Sequence, residues 1–206
     1  MDSSEAYASA LSVTPPDMRN SLYTPDFQRD RGEYRAEAPL VDLMREAPAR
    51  SGLDRAQYAD LKFWLPGDIL TKVDRASMAV GLEAREPLLD HRLIEFAASL
   101  PEAMRVRGRQ GKWLMKRTMR RYLPDDILYR PKQGFVTPIA EWFRGPLAGV
   151  ALAMGSSSAL ARSGWFDGNR LRQMAEAHIA GRSDASRLLW QMAMLDKSLA
   201  RLGIGG

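Results

Sequence analysis

No cysteine occurs in the 206 residues. That excludes disulfides and thiolate nucleophiles and removes the commonest structural zinc ligand. Histidine is almost as scarce: His91 and His178 are the two. They lie far apart in sequence, so neither a metal-ligand spacing nor a Ser/His/Asp arrangement is expected, and no metal site is predicted. No apolar run approaches the roughly 18 to 20 residues that a membrane span needs. The N-terminus, MDSSEAYASALSV, is acidic and lacks the basic n-region of a secretory signal, so a cytoplasmic setting without membrane contact is expected. The phosphate-cradling loops GxGxxG and GxxxxGK[ST] are missing as well.

What is present is globular in composition: 45% hydrophobic and 27% charged residues, enough to exclude wholesale disorder and to hold one ordinary core with at most a small appendage. The net charge of +5 is unevenly spread. From Arg105 to Lys132, ten Lys/Arg residues stand against only Asp125 and Asp126. A cationic segment of this kind favours phosphate-bearing partners, and it also fits a solvated basic helix face.

The pattern along the chain is helical, with no alternating strand signal of useful length and no repeat. Residues 1 to 50 are the least regular: Pro15-Pro16 interrupts any early helix, and LYTPDFQRDRGEY reads as a turn and a short helix. A helix is predicted over Asp54 to Trp64, with Asp54 as its cap and a fresh start at Pro66-Gly67-Asp68. Ile69, Val73, Ala76 and Val80 make one apolar stripe that ends at Gly81. Asp90 should cap the helix from His91 to Leu100. Further helices are expected over Lys112 to Tyr122, Gly168 to Ala180 and Ala185 to Leu202. Trp113, Trp142, Trp165 and Trp190 serve core packing or helix docking. The divisions adopted are 1–50 (irregular and short helices), 51–150 (helices and a loop that line a cleft) and 151–206 (C-terminal helices).

Two segments carry concentrated chemistry. In LPGDILTKVDRASMAVGLEAREPLLD, charges are threaded through a stretch that otherwise reads as core. Asp68, Lys72 and Arg75 fall at i, i+4 and i+7 beside Asp74, so they can meet one another or one ligand. Charges placed among apolar positions must be paired or serve a ligand, because an unpaired buried charge costs several kcal/mol. Glu83 and Arg85, two apart before Pro87, are expected to reach separate partners. In the loop RPKQGF, Pro131 fixes the backbone ahead of Lys132 and Gly134 allows close approach, so the lysine is presented rather than free. Its ammonium suits a phosphate or a developing oxyanion. Lys112 and Arg130 are candidates to face phosphate.

LPGDILTKVDRASMAVGLEAREPLLDHRLIEFA followed by GKWLMKRTMRRYLPDDILYRPKQGF resembles the C-terminal part of the synthetase domain of glutamine-hydrolysing asparagine synthases. Two long motifs in the family's order are far more specific than either charge pattern, and the likeness covers residues 20 to 150 best. It implies a mainly α chain that forms the helical C-terminal portion of an α/β adenine-nucleotide α-hydrolase-like domain. It also implies an ATP- and Mg2+-dependent amide ligase that activates aspartate as a β-aspartyl-adenylate and lets ammonia displace AMP. Ammonia would come from an N-terminal glutaminase domain, in the same or a companion chain, and the full-length protein could be a homodimer. By the resemblance, Lys132 matches the catalytic lysine. Asp68, Lys72, Asp74 and Arg75 match a cleft-lining helix, and Glu83 and Arg85 the turn after it.

The departures bear on activity and acceptor. The family's N-terminal nucleophilic cysteine, its SGGxDS ATP loop and its GDGGDE-like acidic loop have no counterpart here, so the chain is expected to be inactive alone. Glu86 replaces the small apolar residue usual before the proline, and Val136 departs from the small residue often found after GF. Amide- or ring-forming enzymes that act on another carboxylate therefore remain an alternative, as does a non-catalytic helical binding module. A nucleic-acid partner is disfavoured, since Arg105 to Lys132 holds no recognisable docking motif.

Overall fold

The computed structural model describes residues 2–131, 134 and 137–204. Among these, the regular secondary structure is almost wholly helical, as the missing strand pattern predicts. In order, the α-helices are α1 (Ser3–Leu11), α2 (Pro16–Leu22), α3 (Pro25–Arg31), α4 (Ala38–Glu46) and α5 (Gly52–Ala59), then α6 (Thr71–Met78), α7 (His91–Ser99), α8 (Glu102–Arg105), α9 (Trp113–Met119) and α10 (Asp125–Leu128). The last five are α11 (Ile139–Arg144), α12 (Ala148–Ala153), α13 (Ala159–Arg162), α14 (Gly168–Ile179) and α15 (Ser186–Leu202). A two-residue hairpin, β1 (Val106–Arg107) with β2 (Gln110–Gly111), joins α8 to α9.

Two local expectations are corrected. Ser51, not Asp54, caps α5: its hydroxyl accepts the Asp54 amide at 3.1 Å, which places Asp54 in the first turn. Pro66 also does not break the chain into two helices. It lies inside a π-helical stretch, Asp60–Leu70, that runs directly from α5 into α6. A π-register widens the turn, so a proline that lacks an N–H can be carried where a tight α-turn would reject it. The Thr71 hydroxyl donates to the Pro66 carbonyl at 2.6 Å and satisfies that acceptor.

The chain divides into two compact units, Glu5–Ala38 with Phe135–Gly206, and Pro39–Gly134 with the first four residues. The first of these holds a proper core. Leu22, Phe143, Ala151, Met154, Leu160, Leu171, Ala175 and Leu189 are each 2% exposed or less. The stripe Leu188, Leu189, Ala193, Asp196 and Leu199 keeps one face of α15 buried. The buried Asp196 carboxylate accepts the Leu160 amide at 3.0 Å, while the Ser158 hydroxyl accepts that of Ala161 at 3.1 Å. Two of the otherwise orphaned donors at the start of α13 are thus satisfied. Residues 22–24 are tied to residues 164–167 by a short antiparallel bridge: Thr24 N–H donates to Trp165 O at 3.0 Å, and Asp167 N–H to Leu22 O at 2.8 Å.

His178, fully buried, is the polar hinge-pin of the same unit. Nδ1 accepts the Ala185 amide at 3.3 Å, which leaves Nε2 to donate to the Ala140 carbonyl at 3.0 Å. One ring therefore fixes α11, α14 and the entry to α15 together.

In the other unit the burial pattern is inverted. Leu40, Val41, Met44, Ala47 and Ala59 are buried, but from residue 60 to residue 131 no side chain is. Phe63, Trp64, Met78, Val80, Leu82, Leu88 and Phe96 are all exposed large hydrophobics. The expectation that Leu65 to Asp90 forms core is corrected accordingly: its apolar stripe exists but faces no interior within this chain.

Close approach of α12 and α14 requires glycine at two positions. A Cβ built on Gly155 would fall within the van der Waals radius of the Gly168 carbonyl oxygen, and one on Gly168 would meet the Gly155 carbonyl oxygen in the same way. The clash is with backbone, which cannot swing aside. Gly155→Ala and Gly168→Ala are each expected to destabilise this unit by about 1–3 kcal/mol, read as a lowered midpoint in urea. Gly149→Ala, inside α12 with nothing within 4 Å, should not lower the midpoint and is expected to raise it slightly. Equal behaviour of the three variants would refute the close-approach reading.

Candidate functional site

The residues singled out by sequence fall in the unit formed by residues 39–134. The first group sits at the π-to-α transition. Lys72 Nζ and an Asp68 carboxylate oxygen are 2.5 Å apart, an i,i+4 pair as the spacing predicts. Asp74 and Arg75, a turn further on, form no ion pair among the described residues. Glu83 and Arg85 do not go to separate partners, as expected from sequence, but to each other. Arg85 Nε donates to Glu83 Oε1 at 3.0 Å, and Nη2 lies 2.9 Å from the same oxygen. The reason is local. Residues 82–86 are not helical, and in an extended chain side chains two apart fall on one side. Both partners are mostly exposed, so the pair adds little stability. No hydrogen bond or ion pair links these two pairs among the described residues.

Asp90 behaves as predicted. Its Oδ1 accepts the Arg92 amide at 3.0 Å and Arg92 Nε at 3.2 Å, capping α7. The Arg92 guanidinium and then its amide hold the Asp90 carboxyl below the usual carboxylate range.

Lys112 occupies a left-handed backbone conformation, φ 58°, between β2 and α9. A non-glycine residue there is uncommon and carries a cost of order 1 kcal/mol. Its carbonyl accepts the Lys116 amide at 2.9 Å and opens α9. Arg130 is exposed directly after α10. Lys132, with Gln133, Phe135 and Val136, lies outside the described residues.

Sequence reasoning missed what surrounds Trp113. The Arg107 guanidinium stacks 4.0 Å from the ring centroid and that of Arg117 lies 5.6 Å from it. The i,i+4 spacing of Trp113 and Arg117 was a visible signal, whereas the Arg107 contact needs the hairpin. It also missed Arg105, which reaches back to the Asp54 carboxylate and, at 2.6 Å, to Gln57, tying α8 to α5.

An apolar groove lies in the other unit. Trp142, Leu147, Val150, Trp190 and Met194 are among its apolar walls, with Lys197 beside them, around about 450 Å³. None of the candidate residues lines it. Among the described residues no group of three His, Asp or Glu side chains could hold a metal ion, and no helix is long and apolar enough to cross a membrane.

Comparison with known proteins gives this set of surface pairs and displayed apolar residues a family. The family described as asparagine synthase matches residues 4–200. The chain belongs to that family. A putative glutamine-hydrolysing asparagine synthetase of Mycobacterium tuberculosis is 35% identical over 188 residues, 90% of this chain but 28% of the relative. Asparagine synthetase [glutamine-hydrolyzing] 1 of Bacillus subtilis is 29% identical over 145 residues, 70% of the chain and 23% of the relative. The human asparagine synthetase [glutamine-hydrolyzing] is 30% identical over 142 residues, 60% of the chain and 24% of the relative. No solved structure matches. The chain thus spans about a quarter of the length of these curated relatives.

The Arg105–Asp54 contact yields a pH signature. Hydrogen bonding from Arg105, and secondarily from Ser51, holds the Asp54 carboxyl below its ordinary value. A depressed carboxylate contributes stability above its unfolded pKa of about 3.9, and that contribution disappears as pH falls through the folded value. Asp54→Asn should therefore lower the thermal midpoint at pH 6, with the gap to the parent closing as pH drops below about 4. A gap constant from pH 6 to pH 3 would remove the ion pair as its cause.

Proposed function

We propose that this chain supplies the C-terminal helical wall of the synthetase site in an ATP-dependent amide ligase that converts aspartate to asparagine. The observation that carries the reading is the family match over residues 4–200, with 35% identity to a glutamine-hydrolysing asparagine synthetase over 90% of the chain. The burial pattern supports it. Residues 60–104 are mostly helical and hold no buried side chain, and proteins rarely leave so many large apolar side chains of one region uncovered. The natural cover is the α/β nucleotide-binding portion that the family resemblance implies.

The chemistry would run in two steps. A carboxylate oxygen of aspartate attacks the α-phosphorus of ATP, and pyrophosphate leaves. Ammonia derived from glutamine then attacks the acyl carbon, and AMP departs as the amide forms. Lys132 is the group assigned to this chain: its ammonium offsets charge that builds on the phosphate in the first step and on the tetrahedral oxyanion in the second. Asp68–Lys72 and Glu83–Arg85 would brace the wall, since each already satisfies one partner and retains further hydrogen-bonding capacity for substrate. Asp74 and Arg75, without an ion pair among the described residues, are the freer groups for substrate contact, and Lys112 and Arg130 are assigned toward phosphate. The described residues do not fit a magnesium site, for want of a cluster of carboxylates, so no step is assigned to that ion here.

The test uses a full-length ligase that contains this sequence. Lys132→Met is expected to lower aspartate-dependent AMP release by at least about 100-fold, the scale of losing a transition-state charge partner, while glutamine hydrolysis persists. Near-parental AMP release would sink the assignment of Lys132. Absence of AMP release in the parent with aspartate, but its appearance with another carboxylate, would keep the ligase and replace the acceptor.

A further inference from the structure

The ligase reading does not account for the cations displayed on α9 and the hairpin before it. Apart from Lys112 and Arg130, five side chains there have no ion pair among the described residues: Arg107, Arg109, Lys116, Arg117 and Arg121. Arg105 and Arg120 are by contrast engaged, by Asp54 and by Asp125 at 2.9 Å. Asp126 and Glu102 are the other carboxylates in the segment, both exposed, too few to neutralise the five.

The unpaired cations are not left to wander. Trp113, Lys116 and Arg117 fall at i, i+3 and i+4, one face of α9. Arg107 and Arg117 both rest on Trp113, Lys116 lies 5.4 Å from the Tyr129 ring centroid and Arg121 4.6 Å from that of Tyr122. An aromatic ring attracts a cation without neutralising it. The N–H edges of a guanidinium stacked this way stay available for bidentate contact with phosphate. Tyr122 and Tyr129 remain 63% and 40% exposed, so flat apolar rings alternate with fixed positive charge.

We infer that this face of α9 with its hairpin is a binding surface for the phosphate backbone of a single-stranded nucleic acid, read without regard to sequence. Five free cations outnumber the charges of a single triphosphate, which favours a partner that repeats its charge along a chain. The interleaved tyrosines favour unpaired bases, every one of which has a face to stack. The missing docking motif is consistent with this, because backbone binding requires none.

The experiment measures binding of the 206-residue chain to a fluorescent twenty-nucleotide oligouridylate across salt concentrations. If each of the five cations meets one phosphate, log affinity should fall against log salt with a slope of about −3.5, about a hundredfold loss from 50 to 200 mM. The double variant Arg107→Glu/Arg117→Glu should weaken binding more than tenfold at 50 mM and bring the slope to about −2. Trp113→Leu keeps every charge but removes the shelf, so it should weaken binding several-fold with the slope retained. The control Arg170→Glu/Arg187→Glu makes the same change in net charge in the other unit and should bind as the parent does. Circular dichroism of each variant checks that it folds.

Four outcomes overturn the proposal: no binding at 50 mM salt, equal loss in the control, displacement of the oligonucleotide by equimolar pyrophosphate, or preference for phosphatidylserine vesicles. The third would make the surface a small-phosphate site and the fourth a membrane-facing one.

Discussion

Where apolar surface is buried governs everything else about this chain. Hydrophobic burial is the principal favourable term in folding, at roughly 25 cal/mol per Å². Here it is concentrated in one unit. Phe143, Leu160 and Leu189 are sealed completely, and the buried His178 and Asp196 side chains have partners: His178 two backbone groups, Asp196 the Leu160 amide. In the unit of residues 39–134, by contrast, secondary structure is specified by local signals. Ser51 and Asp90 cap their helices, and Arg105 links α8 to α5. Local signals define where helices start and stop, but each contributes about 1 kcal/mol or less. They do not replace a core, so this unit needs a surface to lie against.

That contrast explains how much of the structure could be read from the sequence. Helix content, the cap at Asp90 and the Asp68–Lys72 pair depend on residues within one or two turns of each other, and were legible. The π-helical passage through Pro66 was not, since proline ordinarily signals a break and nothing local announces a widened register. Glu83 and Arg85 were misjudged because a helical test of pairing was applied to a segment that is extended. The largest misreading, of Leu65 to Asp90 as core, came from a correct stripe: Ile69, Val73, Ala76 and Val80 do share a face. Periodicity shows that a face is meant to be covered, and is silent on whether the covering residues belong to the same chain.

The candidate site is legible to a different degree. Its surface ion pairs would carry no functional argument by geometry alone, because exposed pairs of this kind are ordinary and worth a few tenths of a kcal/mol. What gives them meaning is the family match, with only about a quarter of each relative represented. In water Asp68–Lys72 and Glu83–Arg85 are screened. Covered by an apolar neighbour they would lie in a lower dielectric, where the same separations give far larger interactions and an unpaired member would be costly. Pairing within the chain is then a precondition for burial on assembly.

The unpaired cations of the hairpin and α9 answer to the same reasoning with the opposite outcome. If Arg107, Arg109, Lys116, Arg117 and Arg121 were to be covered by an apolar surface, each would require a carboxylate brought by the cover. Stacking on Trp113, Tyr122 and Tyr129 supplies no counter-charge; it reduces mobility and leaves the charge in place. Beside the paired charges, Val80, Leu82, Leu88 and Phe96 present exposed apolar side chains. The chemistry therefore separates a face suited to an apolar neighbour, where charges come in pairs, from a face suited to water or to a polyanion, where they do not.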